Sequence, residues 1–477
     1  LPQTRAAPAD PPLTTLPLNQ RLILFFSDRE YYRRLVQIGL PIAAQQFLLN
    51  SLNMAGVVLI GQLGEASVAA VGLANQVYFL FNLTLFGFNS GASMFTAQLW
   101  GKQDVLNIRR VTSLTLKLSL LVSLVFLALA LLVPEAVLGI YSTDPEVIRL
   151  GSDYLRTFGW SFLFVAITYP FSSVVRSTGN VRIPLVVSTG ALSLNMLLSY
   201  LLIFGYLGLP RLGMQGAAVG TLIARILESG ALVLLVYLKR LPAAISLLQL
   251  REFDPTFAWK VLKPVLPIAI NEILWSFGIT SYSVAYARIS TEAIAAMNIF
   301  GTLDGIAFTV FIGIGNACAI LVGHWIGAGE PKQAYRYALR SLSLGVLLAV
   351  VTGVGMRLIS PAILTLYKVS PEVIQSTQKI VNIMSALLWV RASNMILYIG
   401  AFRSGGDTRF GLIMDGLTIW VVGVPLAFAG AFLFHLPVQY VYLLAMSEEI
   451  TKWAVALWRF FSRRWIHDLT QTVAQAG

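Results

Sequence analysis

Twelve apolar runs divide the chain, at roughly 35–61, 68–97, 112–133, 154–176, 183–205, 214–238, 262–287, 293–325, 338–360, 379–402, 410–434 and 437–460. Each is long enough to cross a bilayer as a helix, which takes about 17–25 residues. None has the strict apolar/polar alternation of a barrel strand. Since only helices and closed barrels satisfy their own backbone in lipid, the pattern predicts an all-α polytopic membrane protein with twelve transmembrane helices.

Against so apolar a background the polar exceptions stand out. The run "LPIAINEILWSFG" from Leu266 carries Asn271 and Glu272. Glu272 lies about 13 Å beyond Lys263 at the helical rise, inside a hydrocarbon layer roughly 30 Å thick. A carboxylate there costs on the order of 3 kcal/mol and marks an ion or substrate pathway by default. Its own helix has no base one turn away, so removing its charge is expected to preserve or raise stability while ending ion coupling. Asp304 falls about 18 Å into span 8 and Asp415 about 9 Å along span 11 by the same rise. With Asn271, these three acids are the candidate cation-coupling residues. Glu272, Asp304 and Asp415 are also the possible Na⁺ ligands, because hard cations take oxygen donors.

The pattern repeats. "LPIAAQQFLLNSLN" from Leu40 opens with the same four letters, and 40–104 aligns with 266–330 at a constant offset, pairing Ala69 with Ala295, Gly87 with Gly313 and Gly101 with Gly327. "RSTGNVR" from Arg176 matches "RSGGDTR" from Arg403 between spans 4 and 5 and spans 10 and 11. Six spans per half make the repeat parallel, an architecture of alternating-access transporters. The first half carries Gln45 and Gln46 where the second has Asn271 and Glu272. If cation coupling is concentrated in one half, only that half needs the costly acids.

Counting basic residues at the two ends and in alternate loops puts 22 on one side and 7 on the other. The positive-inside rule then places both termini in the cytoplasm of a cell-membrane protein. The net charge of +12 is scattered in short clusters between spans, so no nucleic-acid partner is expected. Hydrophobic residues make up 57% and charged residues 12%, and mean hydropathy is +0.74. The lone Cys318 excludes disulfides and thiolate metal sites. The organisation expected is a disordered leader on a trimmed chain with an interfacial amphipathic segment at 1–34, an N-lobe at 35–238, a cytoplasmic linker at 239–261, a C-lobe at 262–460 and a cytoplasmic tail at 461–477.

Several stretches together resemble the multidrug and toxic compound extrusion (MATE) transporters: "GQLGEASVAAVGLANQV" after span 1, "PIAINEILWSFG" in span 7, "GNACAILVGHWIGAGE" ending span 8, "FRSGGDTRFGLIMDGLTIWVVGVPLAF" across spans 10 and 11, and "EEITKWAVALWRFFSRRW" near the end. The resemblance spans about residues 30–465, with the motifs in register with the 6+6 repeat. It implies two six-helix lobes forming a V, and efflux of amphiphilic, often cationic, drugs in exchange for Na⁺ or H⁺, with no cofactor. Where many relatives carry an Asp in span 1, this chain has Gly56, which speaks against proton coupling through the first half.

A drug cavity between the lobes is expected to draw on Trp275, Tyr282, Tyr286 and Arg391 on one side and Gln46, Tyr78 and Asn82 on the other. Arg391 reads equally as a counter-ion to a C-lobe acid. Arg225 with Glu228, and Glu448, Glu449 and Lys452, have helical spacings that allow local ion pairs. The partners expected are a small organic cation or drug and membrane lipid, and a monomer suffices. An enzyme is not supported, since no H-E-x-x-H or paired Ser/His is present. The alternative is a lipid-linked oligosaccharide flippase of related architecture, for which Arg225 and Arg391 speak.

Overall fold

The computed structural model describes residues 28–251 and 254–474. The leader expected over 1–20 and residues 21–27 of the amphipathic stretch lie outside the described residues. The long helices are α1 (Arg29–Gly61), α2 (Glu65–Gly101), α3 (Val105–Leu132), α4 (Pro145–Gly159), α5 (Ser161–Ser177), α6 (Arg182–Phe204), α7 (Met214–Leu238), α8 (Pro255–Ala287), α9 (Thr291–Gly327), α10 (Pro331–Leu364), α11 (Pro371–Arg403), α12 (Thr408–Leu433) and α13 (Val438–Phe461). Helices α4 and α5 form one span bent by 46° at Trp160. The others cross singly, which makes twelve spans in two six-helix lobes. Helix α13 carries Glu448, Glu449 and Lys452 in its middle turns, more charge than the other spanning windows hold.

Local chemistry sets the helix starts. Asp144, Asp254 and Ser370 each accept backbone N–H bonds at a helix N-terminus and are followed by Pro145, Pro255 and Pro371. Proline at the first helical position gives up a donor that had no partner there. This is why α8 begins at Pro255, ahead of the expected 262. The expected surface-lying stretch also differs over its described part, since Arg29–Arg34 are the opening turns of α1. Tyr31 is fully buried, its hydroxyl 2.8 Å from Ser341 Oγ and its ring edge-on to Tyr337.

The lobes meet through α1 and α2 on one side and α8 and α9 on the other. Small residues let these backbones approach, as in other membrane helix pairs. A Cβ on Gly87 would stand 2.7 Å from Ala269 Cα, and one on Gly313 would stand 3.0 Å from Ala43 Cβ. Gly313 and Ala269 are the repeat counterparts of Gly87 and Ala43, so these are one contact made twice. Likewise Gly101 abuts the His324 carbonyl and Gly327 abuts the Gln98 carbonyl. Gly323 meets its own counterpart, Ala97, where a Cβ would lie 2.7 Å away. The pairing is that of a two-fold interface, with the pseudo-axis passing between Ala97 and Gly323.

All these close approaches lie toward the starts of α1 and α8 and the ends of α2 and α9. Further bonds seal the same end of the bundle. Gln98 donates to the Ser404 and His467 carbonyls at 2.8 and 3.1 Å and accepts from the Leu469 N–H at 2.7 Å, and His324 Nε2 lies 2.7 Å from the Ser177 carbonyl. Away from this end, a Cβ on Gly56 or Gly72 of the first lobe, or on Gly301 or Gly305 of the second, would meet nothing within 4 Å.

Candidate functional site

In the cleft between the lobes lies a cavity of about 470 Å³. Its polar wall is built largely by the first lobe: Gln45, Gln46 and Asn50 from α1, Tyr78, Asn82 and Asn89 from α2, Tyr169 and Arg176 from α5, and Arg225 and Glu228 from α7. The second lobe adds Asn316 from α9 and Arg403 and Ser404 from the end of α11. Of the cavity residues expected from sequence, Gln46, Tyr78 and Asn82 line it. Tyr282 and Tyr286 instead sit in the core of the second lobe, at 3% and 7% exposure, and Trp275 is partly exposed and outside this lining.

The candidate acids fall into three separate ion pairs. Glu272 Oε1 is 2.8 Å from Arg403 Nη2, and Arg403 Nη1 donates to Ser90 Oγ of the first lobe at 2.9 Å. Asp304 Oδ1 is 2.8 Å from Arg391 Nη1, whose guanidinium lies over the Phe308 ring. Asp415 Oδ1 is 2.5 Å from Lys452 Nζ, while Asn271 Nδ2 donates to Asp415 Oδ2 at 2.9 Å. Among the described residues no group of three or more acids, histidines or cysteines has the geometry to hold a metal ion.

Two expectations change accordingly. Glu272 does not stand alone, because the base that no adjacent turn of its own helix supplies arrives from α11. Its charge is therefore compensated, and removing it leaves a guanidinium behind. Arg176 and Arg403, which the charge count assigns to loops, turn inward from the last turns of α5 and α11 and line the cavity. The long arginine stem lets a residue at the end of a span reach back into it.

Around Asp415 the second lobe collects more acid than base. Lys452 also approaches Glu449 at 3.7 Å, Asn394 Nδ2 donates to Glu449 Oε2 at 2.5 Å, and Glu448, 2% exposed, packs on the same helix one residue away. Asp415 and Glu449 thus share one ammonium, with a third carboxyl group, that of Glu448, buried alongside. The amide oxygens of Asn271 and Asn394 are buried without a hydrogen-bond partner among the described residues. Wide π-helical turns flank the cluster at Ile396–Arg403 and Thr418–Gly423; such turns are frequent at functional sites. Sequence reading had Glu448, Glu449 and Lys452 only as a local pairing on one helix, and their meeting with Asp415 and Asn271 is set by three-dimensional packing.

In the first lobe, Arg225 Nη1 pairs with Glu228 Oε2 at 2.6 Å and Nη2 donates to the Tyr78 hydroxyl at 3.4 Å. The Arg176 side chain has no hydrogen bond or ion pair among the described residues, although Tyr169 is within its electrostatic reach.

Comparison with known proteins matches the MatE family model to residues 41–201 and 267–429. The two matches start 226 residues apart (267 − 41), the offset of the internal repeat. A probable multidrug resistance protein NorM of Bradyrhizobium diazoefficiens is 30% identical over 410 residues, 83% of this chain and 86% of that protein. A probable NorM of Thermotoga maritima is 24% identical over 441 residues, 91% of this chain and 93% of that protein. Among solved structures, an outward-facing MATE family transporter superposes with a TM-score of 0.81 at 18% identity, covering 90% of this chain and 96% of that one. The Vibrio cholerae MATE transporter VcmN in its bent form gives 0.82 at 17% identity, covering 93% and 98%.

Proposed function

We propose, from the premise that this chain belongs to the MATE family of transporters, that it is a secondary antiporter exporting amphiphilic organic compounds in exchange for entering Na⁺ or H⁺. Substrate occupies the cavity between the lobes, and the coupling cation engages the acids of the second lobe. The basic residues gathered at the sealed end support a cytoplasmic position for that end and for both termini. The open side of the cleft then faces outward, as release of an exported compound requires.

The observation that carries the coupling assignment is the carboxylate excess at Asp415, Glu448 and Glu449 around the single Lys452. Excess negative charge held out of water is costly unless a cation is shared with it. Glu272 and Asp304 each already have a guanidinium, so Asp415 with Asn271 is the favoured coupling position of the candidate acids. Tyr78, Phe86 and Tyr169 offer the cavity aromatic faces of the kind that take organic cations. Three arginines against one glutamate in the lining weigh against cations as the sole substrate class, and keep a lipid-linked, phosphate-bearing substrate as the second reading.

The test is uptake of a fluorescent amphiphile into proteoliposomes with Na⁺ and H⁺ gradients imposed separately. Wild type should transport under at least one gradient, and Asp415→Asn should lose gradient dependence by tenfold or more, roughly what loss of one charged contact costs. Transport that is indifferent to both gradients would refute the antiporter assignment.

A further inference from the structure

The two arginines that open the matching segments "RSTGNVR" and "RSGGDTR" occupy equivalent places in the two lobes, and both line the cavity. In the second lobe Arg403 has its counter-ion in Glu272, 2.8 Å away. The first-lobe counterpart of Glu272 is Gln46, which also lines the cavity and whose amide donates to Asn50 Oδ1 at 3.2 Å. The register that supplies a carboxylate to Arg403 therefore supplies a neutral amide to the cavity that Arg176 lines. Among the described residues no other acid takes its place: Glu228, the carboxylate in the lining, is committed to Arg225. The geometry points to Arg176 as an anion subsite, where the cavity receives the acidic group of an amphiphile, a carboxylate, sulfonate or phosphate.

The surroundings suit such a group. Ser173 and Ser177 of α5 and Ser93 of α2 also line the cavity, and because the Ser173 and Ser177 hydroxyls donate to the Asn89 and Val174 carbonyls, Arg176 is the donor left for an oxyanion. Arg176 itself presents a planar fork of donors matched to two oxygens. The aromatic faces of Tyr78, Tyr169 and Phe86 are left for the apolar body of the same molecule. The inference deepens the transporter assignment and rests on it for the direction of movement, but binding at Arg176 is measurable without transport.

A matched pair of probes separates the possibilities: naphthalene sulfonate and naphthyl-trimethylammonium, which share a ring system and differ in the sign of their charge. Equilibrium binding of each to the purified full chain, with thermal unfolding to confirm that every variant is folded, should show wild type favouring the sulfonate by roughly tenfold or more, as a charge-assisted contact gives. Arg176→Gln should lose most of that preference and Arg176→Lys should keep part of it. Gln46→Glu, which restores to the first lobe the acid that the second lobe has, should suppress sulfonate binding while leaving Arg176 in place. A wild type that favours the ammonium, or folded Arg176→Gln and Gln46→Glu variants that bind sulfonate within about twofold of wild type, would overturn the subsite. Sulfonate binding without gradient-driven movement of either probe would instead overturn the transporter assignment and leave the subsite standing. Gradient-driven transport of the ammonium with no sulfonate binding would do the reverse.

Discussion

Replacing Glu272 by glutamine takes one charge from a pair whose other half, Arg403, stays behind beside Ser90 and the Phe86 ring. Breaking a largely buried pair from one side is destabilising by roughly 3 kcal/mol, so Glu272→Gln should lower the thermal unfolding temperature. Glu272→Gln with Arg403→Gln should recover part of the loss, and a double-mutant cycle read by thermal unfolding checks it. An additive double variant would mean that the two side chains do not interact. The expectation from sequence, that neutralising Glu272 costs no stability, gives way to this opposite prediction for a reason visible only in three dimensions. Its counter-ion lies 131 residues away in the chain, and no spacing rule along one helix reaches that far. The same limit hid Lys452 from Asp415. What the sequence did expose was the list of intramembrane acids, because each interrupts an apolar run that has no other reason to admit it.

At the scale of the helices, the glycines of α2 and α9 set how closely the lobes approach. A methyl at Gly101 or Gly327 would meet a backbone carbonyl of the opposite lobe, which cannot rotate aside as a side-chain end can. Overpacking of this kind costs about 1–3 kcal/mol. Gly101→Ala and Gly327→Ala should therefore act alike, each lowering thermal stability and each making Ala97→Cys, at the pseudo-axis, reactive to a thiol reagent in a Cys318→Ser background. Gly72→Ala, where a Cβ meets nothing within 4 Å, should do neither. If Gly327→Ala matches Gly72→Ala in both readings, the sealed end tolerates separation. Hydropathy located these helices well, because the bilayer demands long apolar runs. It misplaced the start of α8 and detached Arg29–Arg34 from α1, since capping by Asp254 and the burial of Tyr31 are local events that an average over a window erases. The π-helical turns of α11 and α12 left no mark in the apolar pattern.

For the whole molecule the expected sidedness is checked by thiol labelling in intact cells, again with Cys318→Ser. Single cysteines within 60–67, 134–153, 206–213, 288–292, 361–378 and 434–438 should label from outside, and one at Leu250 should label only after permeabilisation. Labelling of position 250 from outside would invert the assignment and turn the open cleft toward the cytoplasm. The two-lobe plan was readable from the repeat alone, because parallel halves of six spans can be related only by an axis along the membrane normal. The contacts on that axis carry a consequence for the protein's history. Two separate half-length chains paired as Gly87 with Ala269 and Gly313 with Ala43 would form a homodimer in which any acid at the register of Glu272 appears twice, and any loss of it is suffered twice. Joined in a single polypeptide, the halves escape that arithmetic: one register holds a glutamate and the other a glutamine, and a single mutation can change the charge of one wall without touching its mirror image.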